Sequence, residues 1–182
     1  MKGINYMTQA ELAAYVQSHL REKGIIVILS GGAVVGIYSK GQYVSKDIDL
    51  VNAQFASDER IEQAMQELGF QRVGKHGRHF EHPESEQVVE FPPGPLTLGD
   101  AKVEELNEIQ FITGRLSTLT PTDCVKDRLA HFYYWKDLQC LKQAIMVARE
   151  HSVDLESIKE WSKKEGMESK YKEFFERLSE SA

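Results

Sequence analysis

Two cysteines in 182 residues are too few for a disulfide framework, and the spacing of Cys124 and Cys140 suits no zinc site. Both fall in stretches predicted helical, so they read as reduced core thiols of a cytosolic protein. Long hydrophobic runs are missing too. Lys2 opens the chain without the apolar stretch and small-residue cleavage site of a secretion signal, and no run is long enough to cross a bilayer. No membrane contact is expected, and the expected location is the cytoplasm. Basic residues are in deficit, 22 Lys and Arg against 28 Asp and Glu, for a formal charge of −6. That balance excludes broad, non-specific DNA binding, which needs a basic excess, but leaves room for a local basic groove. Internal repeats are absent, and the only biased tract is the charged C-terminal end. What remains, 41% hydrophobic residues over a length that can bury a sizeable core, fits one domain or a compact domain with a helical extension.

The pattern along the chain predicts an α/β start and an all-helical finish. Thr8, Gln9, Ala10 and Glu11 read as a capping box, opening a helix with Leu12, Ala13, Val16 and Leu20 on one side and Gly24 as its stop. A first strand follows over residues 25–29. Ser57 to Arg60 open a second helix carrying Ile61, Met65 and Leu68, ended by Gly69. Residues 70–73, 78–81 and 87–91 read as short strands of a meander. Residues 99–114 should hold one or two further strands, with Ile109, Phe111, Leu116 and Leu119 covering the sheet edge. Thr120 and Pro121 then mark a strong helix start, and residues 133–150, 155–165 and 171–178 carry helical spacing, with Gly166 as a break. The division falls near Leu119: a core over 1–119 and a helical region over 120–182 packed on it.

Chemistry concentrates in Ser30-Gly31-Gly32 and, after an apolar helix-like segment, Asp47-Ile48-Asp49-Leu50-Val51. On a strand Asp47 and Asp49 project to one face while the aliphatics belong mainly to the core. Two acids roughly 6–7 Å apart repel unless a cation sits between them. Hard oxygen ligands suit magnesium, which favours one or two carboxylates plus substrate phosphates, so the pattern points to nucleotide chemistry. The Ser-Gly-Gly turn places a helix N-terminus, with its free N–H groups, near where such a phosphate would lie. A solvated sheet face for the acids, and an ordinary strand-to-helix turn for the glycines, remain the alternative readings.

The stretch LSGGAVVGIYSKGQYVSKDIDLV resembles the signature of the polymerase-beta-type nucleotidyltransferase superfamily, in which a glycine turn precedes an acid-hydrophobic-acid strand. Its segment 33–46 is slightly longer than is usual there. The phrase EFPPGPL is similar to one in small bacterial members of that superfamily, and the chain as a whole resembles its antibiotic-modifying and toxin-antitoxin branches. The resemblance implies an α/β (α+β) fold, a mixed sheet flanked by helices with a helical C-terminal extension. It implies transfer of an NMP group from an NTP to an acceptor hydroxyl, with magnesium or manganese as cofactor. The implied catalytic and metal residues are Asp47, Asp49 and a third acid, Glu90 of QVVEF. Ser30, Gly31 and Gly32 would bind the phosphates, together with a basic residue of the first tail helix, Lys126 in preference to Arg128. Catalytically dead relatives in the same superfamily leave a second reading, a binding or regulatory module such as a toxin-antitoxin component.

The acceptor stays open among a small cationic molecule, an RNA and a protein. A groove formed by Lys40, Lys46, Lys75, Arg78 and Lys126 would favour RNA. His76, His79 and His82 surround a turn without zinc-site spacing and read as a polar hairpin near the cleft. His131, among Phe132, Tyr133, Tyr134 and Trp135, reads either as core packing or as a stacking surface for a nucleobase. Asp137 reads as a local cap or ion-pair partner.

Overall fold

The computed structural model describes residues 2–75 and 77–180; His76 lies outside them. Helix α1 (Gln9–Glu22) starts as its sequence dictates. Thr8 Oγ1 accepts from Glu11 N, and the Glu11 carboxylate accepts from Thr8 N at 2.7 Å, so two otherwise unpaired N–H groups are satisfied. Strand β1 (Val27–Ser30) feeds directly into α2 (Gly31–Tyr38). Next come β2 (Asp47–Asn52), α3 (Asp58–Glu67), and the short strands β3 (Gln71–Arg72), β4 (His79–Glu81) and β5 (Val88–Glu90). A hairpin of β6 (Thr97–Leu98) and β7 (Ala101–Lys102) stands apart from the main sheet, and β8 (Leu106–Phe111) and β9 (Gly114–Leu119) follow. The chain finishes in α4 (Pro121–Trp135), α5 (Leu138–Glu150), α6 (Leu155–Lys164) and α7 (Glu168–Ser179).

The seven-stranded sheet runs β3-β4-β5-β2-β1-β9-β8 and is mixed: β1 is antiparallel to β2 and parallel to β9, and β2 is parallel to β5. This is the α/β architecture expected from the pattern, a mixed sheet flanked by helices. Two expectations need adjusting. Residues 114–119 form an interior strand between β1 and β8 and do not merely cover the edge. The polar Ser117 and Thr118 are tolerated there because their groups are satisfied: Thr118 Oγ1 donates to Leu29 O, and Ser117 N donates to Gln17 Oε1 at 2.5 Å. Buried Gln17 also donates to Val27 O at 3.0 Å and Ser117 O at 2.9 Å, clamping α1 to two strands at once. Second, the helical stretch predicted over 133–150 is broken. Lys136 turns left-handed, with φ of 56°, and Asp137 caps a new helix by accepting from Gln139 N and Cys140 N.

The helical end is joined to the sheet by one continuous core. Leu12, Leu29, Ile48, Leu116, Leu129, Leu141 and Phe174 are all essentially buried and belong to a single cluster. Each such side chain contributes about 1.5–3 kcal/mol by leaving water. Directional contacts tie the helical end to the rest of the chain: His151 Nε2, at the end of α5, pairs with Tyr38 O of α2 at 2.9 Å, and Trp161 Nε1 of α6 donates to Leu98 O of the β6–β7 hairpin at 2.9 Å. Thr120 Oγ1 accepts from Asp123 N, with Pro121 in the first turn, so α4 begins where the sequence predicts. Cys124 and Cys140 are buried free thiols. Among the described residues no helix is long and apolar enough to cross a membrane.

Candidate active site

The register of four strands sets one polar row across the sheet. Ser30 at the end of β1 stands opposite Asp49 of β2, Asp49 opposite Glu90 of β5, and Glu90 opposite His79 of β4. Neighbouring strands lie about 4.8 Å apart, and directly paired residues share a face, so these four side chains are adjacent. Asp47 sits two residues before Asp49 on the same face, opposite Val88, and is exposed where Asp49 is half-buried. The structure thus brings Ser30, Asp47, Asp49 and Glu90 together at one end of the β1-β2 pair.

Gly31 and Gly32 allow the close approach of backbone to acid. Gly31 has φ of +71°, and a Cβ there would overlap Asp49 Oδ2, so only glycine lets the start of α2 lie against the carboxylate. At Gly32 a Cβ would stand 2.7 Å from Ser45 Oγ, in the loop that leads to Asp47. That loop is pinned from α1: Gln9 Nε2 donates to Ser45 O at 3.0 Å and to Gln87 Oε1 at 2.5 Å, just ahead of β5. Ser30 occupies the N-cap position of α2 but makes no side-chain cap hydrogen bond. Its hydroxyl and the first N–H groups of α2 form an anion-accepting end beside the two aspartates.

Electrostatics mark Asp49 as the strained member. Its carboxyl is pushed from 3.8 up to about 6, first by burial and then by repulsion from Glu90; Arg128 opposes the shift, while Asp47 and Asp127 add to it. Glu90 has nitrogen neighbours of its own, the His79 ring Nε2 at 3.2 Å and the Arg78 guanidinium Nη2 at 3.8 Å. Arg128 was the lesser of two basic candidates in the sequence, yet it is the tail-helix cation whose charge acts on Asp49. It is buried, and Asp127 Oδ2 accepts from its Nε at 2.9 Å. Burial opposes its charge, but Asp127 overrides that and keeps the guanidinium firmly protonated. The spacing signals burial alone: Arg128 falls one turn after Cys124, on a side of α4 that faces the protein, without indicating which element it meets.

Lys126 points elsewhere. Its Nζ donates to Ser157 Oγ at 2.9 Å and pairs with Asp123 at 3.4 Å. It lines a cleft of about 550 Å³ with Lys102, Glu105, Asp154 and Trp161, a cleft that includes none of Ser30, Asp47, Asp49 and Glu90. Of the three histidines near the turn after β3, His79 joins the polar row, and His82 packs on Phe70 at 5.0 Å and accepts from Glu84 N through Nδ1. His76 lies outside the described residues.

Among the described residues no three His, Cys, Asp or Glu side chains form a ready-made metal cage. Magnesium asks for less, since one or two carboxylates suffice when substrate oxygens fill the other positions. The crowding that drives Asp49 toward its neutral form is the donor set that a divalent cation would relieve, so the residues present fit such an ion.

No family model matches the sequence, and no curated protein matches it. Among solved structures, the chain superposes on an antigenic nucleotidyltransferase-like protein from Paracoccidioides brasiliensis with a TM-score of 0.54 at 15% identity, covering 75% of this chain and 74% of the other. The fold is that of the nucleotidyltransferases. The solution structure of the antibiotic-resistance factor ANT(2'')-Ia gives a TM-score of 0.50 at 11% identity over 91% of this chain and 92% of the other. At such identities the likeness is one of fold, and the nucleotidyltransferase fold now stands on the superposition as well as on the Ser-Gly-Gly and Asp-x-Asp pattern.

Proposed function

We propose that this chain is a magnesium-dependent nucleotidyltransferase, moving an NMP group from an NTP to an acceptor hydroxyl. The observation that carries the reading is the registered row Ser30, Asp49, Glu90 at the glycine-marked start of α2, on a nucleotidyltransferase fold. Asp47 and Asp49, with Glu90 as the third acid, would hold the cation. When bound, magnesium would neutralise phosphate charge in the transition state. Ser30 Oγ and the N–H groups of Gly31 and Gly32 would donate to the terminal phosphates. The acceptor oxygen bonds to the α-phosphorus as the bond from that phosphorus to pyrophosphate breaks. Glu90 takes the hydroxyl proton, and pyrophosphate leaves. Arg78 and His79 hold the Glu90 carboxylate in place. Lys126 reaches a phosphate only by leaving Ser157 and Asp123.

A second reading, an idle fold kept as a binding or regulatory module, draws support from the same contacts, because the Arg78 guanidinium and the His79 ring already engage the Glu90 carboxylate. Incubation of the protein with each α-labelled NTP and magnesium, in the presence of a cationic aminoglycoside panel, transfer RNA or cell protein, separates the two. Label transfer with pyrophosphate release, lost in Asp49→Asn, supports the enzyme. NTP binding without label transfer to any acceptor class favours the module.

A further inference from the structure

The side-chain amide of Gln9, the first residue of α1, reaches both acid-bearing strands from outside the site. Its Nε2 donates to Ser45 O at 3.0 Å and to Gln87 Oε1 at 2.5 Å, and it lies 3.5 Å from Asp47 O. All three partners are oxygens, so the nitrogen of the amide is the atom turned toward them. The amide stands on a firm base. Leu12, Ala13, Val16 and Leu20 of α1 are buried, Gln17 clamps the helix to β1 and β9, and the capping box fixes its first turn.

The ladder between β2 and β5 is short and begins at the pairing of Asp47 with Val88. Ser45 and Gln87 lie just ahead of that pairing, and the Gln9 amide joins them across the open end. The load on this end is electrostatic. Asp49 stands directly opposite Glu90, with Asp47 two residues earlier on the same face, and like charges so placed push the strands apart while no cation lies between them. The far end of the pair is secured through the backbone, where Asn52 N donates to Pro92 O at 2.9 Å. The end beside the acids is therefore the one that can open. Ser45 extends the tie to the phosphate end of the site, because its Oγ would meet a Cβ at Gly32 at 2.7 Å.

We propose that Gln9 is a positioning residue: it holds the open ends of β2 and β5 together and so keeps Asp47, Asp49 and Glu90 at the separation required by a divalent cation bound with an NTP. This inference rests on the nucleotidyltransferase reading and adds to it a residue that touches neither cation nor substrate. The Gln9 bonds are made before any ligand arrives, so the cation meets carboxylates already gathered. Without them the ligand must also draw the strands together, and that work is subtracted from its affinity.

The test is calorimetric titration of each magnesium-NTP into wild type, Gln9→Ala, Gln87→Ala, the double variant and Asn52→Ala, with melting curves in chelator to verify that each folds. Asn52→Ala is the control for a purely structural loss, since the Asn52 side chain donates to Ala56 O and accepts from Ala56 N at the opposite end of β2. Gln9→Ala should weaken magnesium-NTP binding about fivefold to thirtyfold, the equivalent of two hydrogen bonds of ordinary net strength. Gln87→Ala, which removes one of the two, should lose less, and the double variant should bind as Gln9→Ala does, because the second change then removes nothing further. Asn52→Ala should lower the melting temperature and bind as wild type. Unchanged affinity in Gln9→Ala, an equal loss in Gln9→Ala and Asn52→Ala, or losses that add in the double variant overturn the positioning role while leaving the nucleotide site standing. Failure of wild type to bind any magnesium-NTP overturns the nucleotide reading and the positioning role with it.

Discussion

Replacing Asp49 with Asn should stabilise the protein that it disables. The folded chain holds the Asp49 carboxyl at about 6 against an ordinary 3.8. Between those values the folded state keeps a proton that the unfolded state has released, so wild-type stability falls as pH rises from about 4 to about 6 and stays at the lower level above that. At 1.36 kcal/mol per pKa unit the full difference is ~3 kcal/mol against the folded state at neutral pH. Water reaching the half-buried carboxylate returns part of it, leaving an expected gain of about 1–3 kcal/mol for Asp49→Asn. For a chain of this size that is a rise in Tm of roughly 2–12 °C. The assay is a pair of melting curves for wild type and variant at about pH 7.5 and about pH 4, with chelator present so that no cation offsets the repulsion. The gain should appear in full at the higher pH and shrink to a small fraction at the lower, where the folded state holds Asp49 protonated and the unfolded state holds it about half so. No gain at pH 7.5, or the same gain at both, would refute the claim that Asp49 is held against its charge.

Three further substitutions probe the supports of the site. Gly31→Ala forces a side chain into the Asp49 carboxylate at a φ of +71°; circular dichroism melts should show a loss of at least ~1 kcal/mol, together with weakened magnesium-NTP binding. Gln17→Ala leaves Val27 O, Ser117 O and Ser117 N without their buried partner, and urea unfolding should register a cost of about 2–4 kcal/mol. Arg128→Gln removes the charged partner of the partly buried Asp127 carboxylate and should cost about 1.5–3 kcal/mol by the same measurement.

What the sequence discloses and what it conceals follow from the range of the interactions. Capping residues act within one turn, so Thr8 with Glu11, and Thr120 with Pro121, mark their helix starts legibly. The alternation of Asp47, Ile48, Asp49 and Leu50 is equally local and marks β2 as a strand with one polar face. The interior position of β9 is not local. Its Ser117 and Thr118 read as surface residues until Gln17, a hundred positions earlier in the chain, is seen to satisfy Ser117. The break at Lys136 was signalled only by Asp137, a residue as common on a helix surface as at a cap. The row from Ser30 to His79 depends on the register of four strands, which no single stretch encodes. The same holds for the approach of Arg128 to Asp49, since choosing between Arg128 and Lys126 requires knowing which side of α4 meets α2.

The most direct measurement is the melting temperature of wild type and of the Asp47→Asn/Asp49→Asn double variant, titrated with each NTP with and without magnesium. A ligand that binds only the folded state raises Tm by mass action. The rise should need both NTP and magnesium and be lost in the double variant. A wild type whose Tm no NTP raises in the presence of magnesium, or a double variant that responds equally, would contradict it.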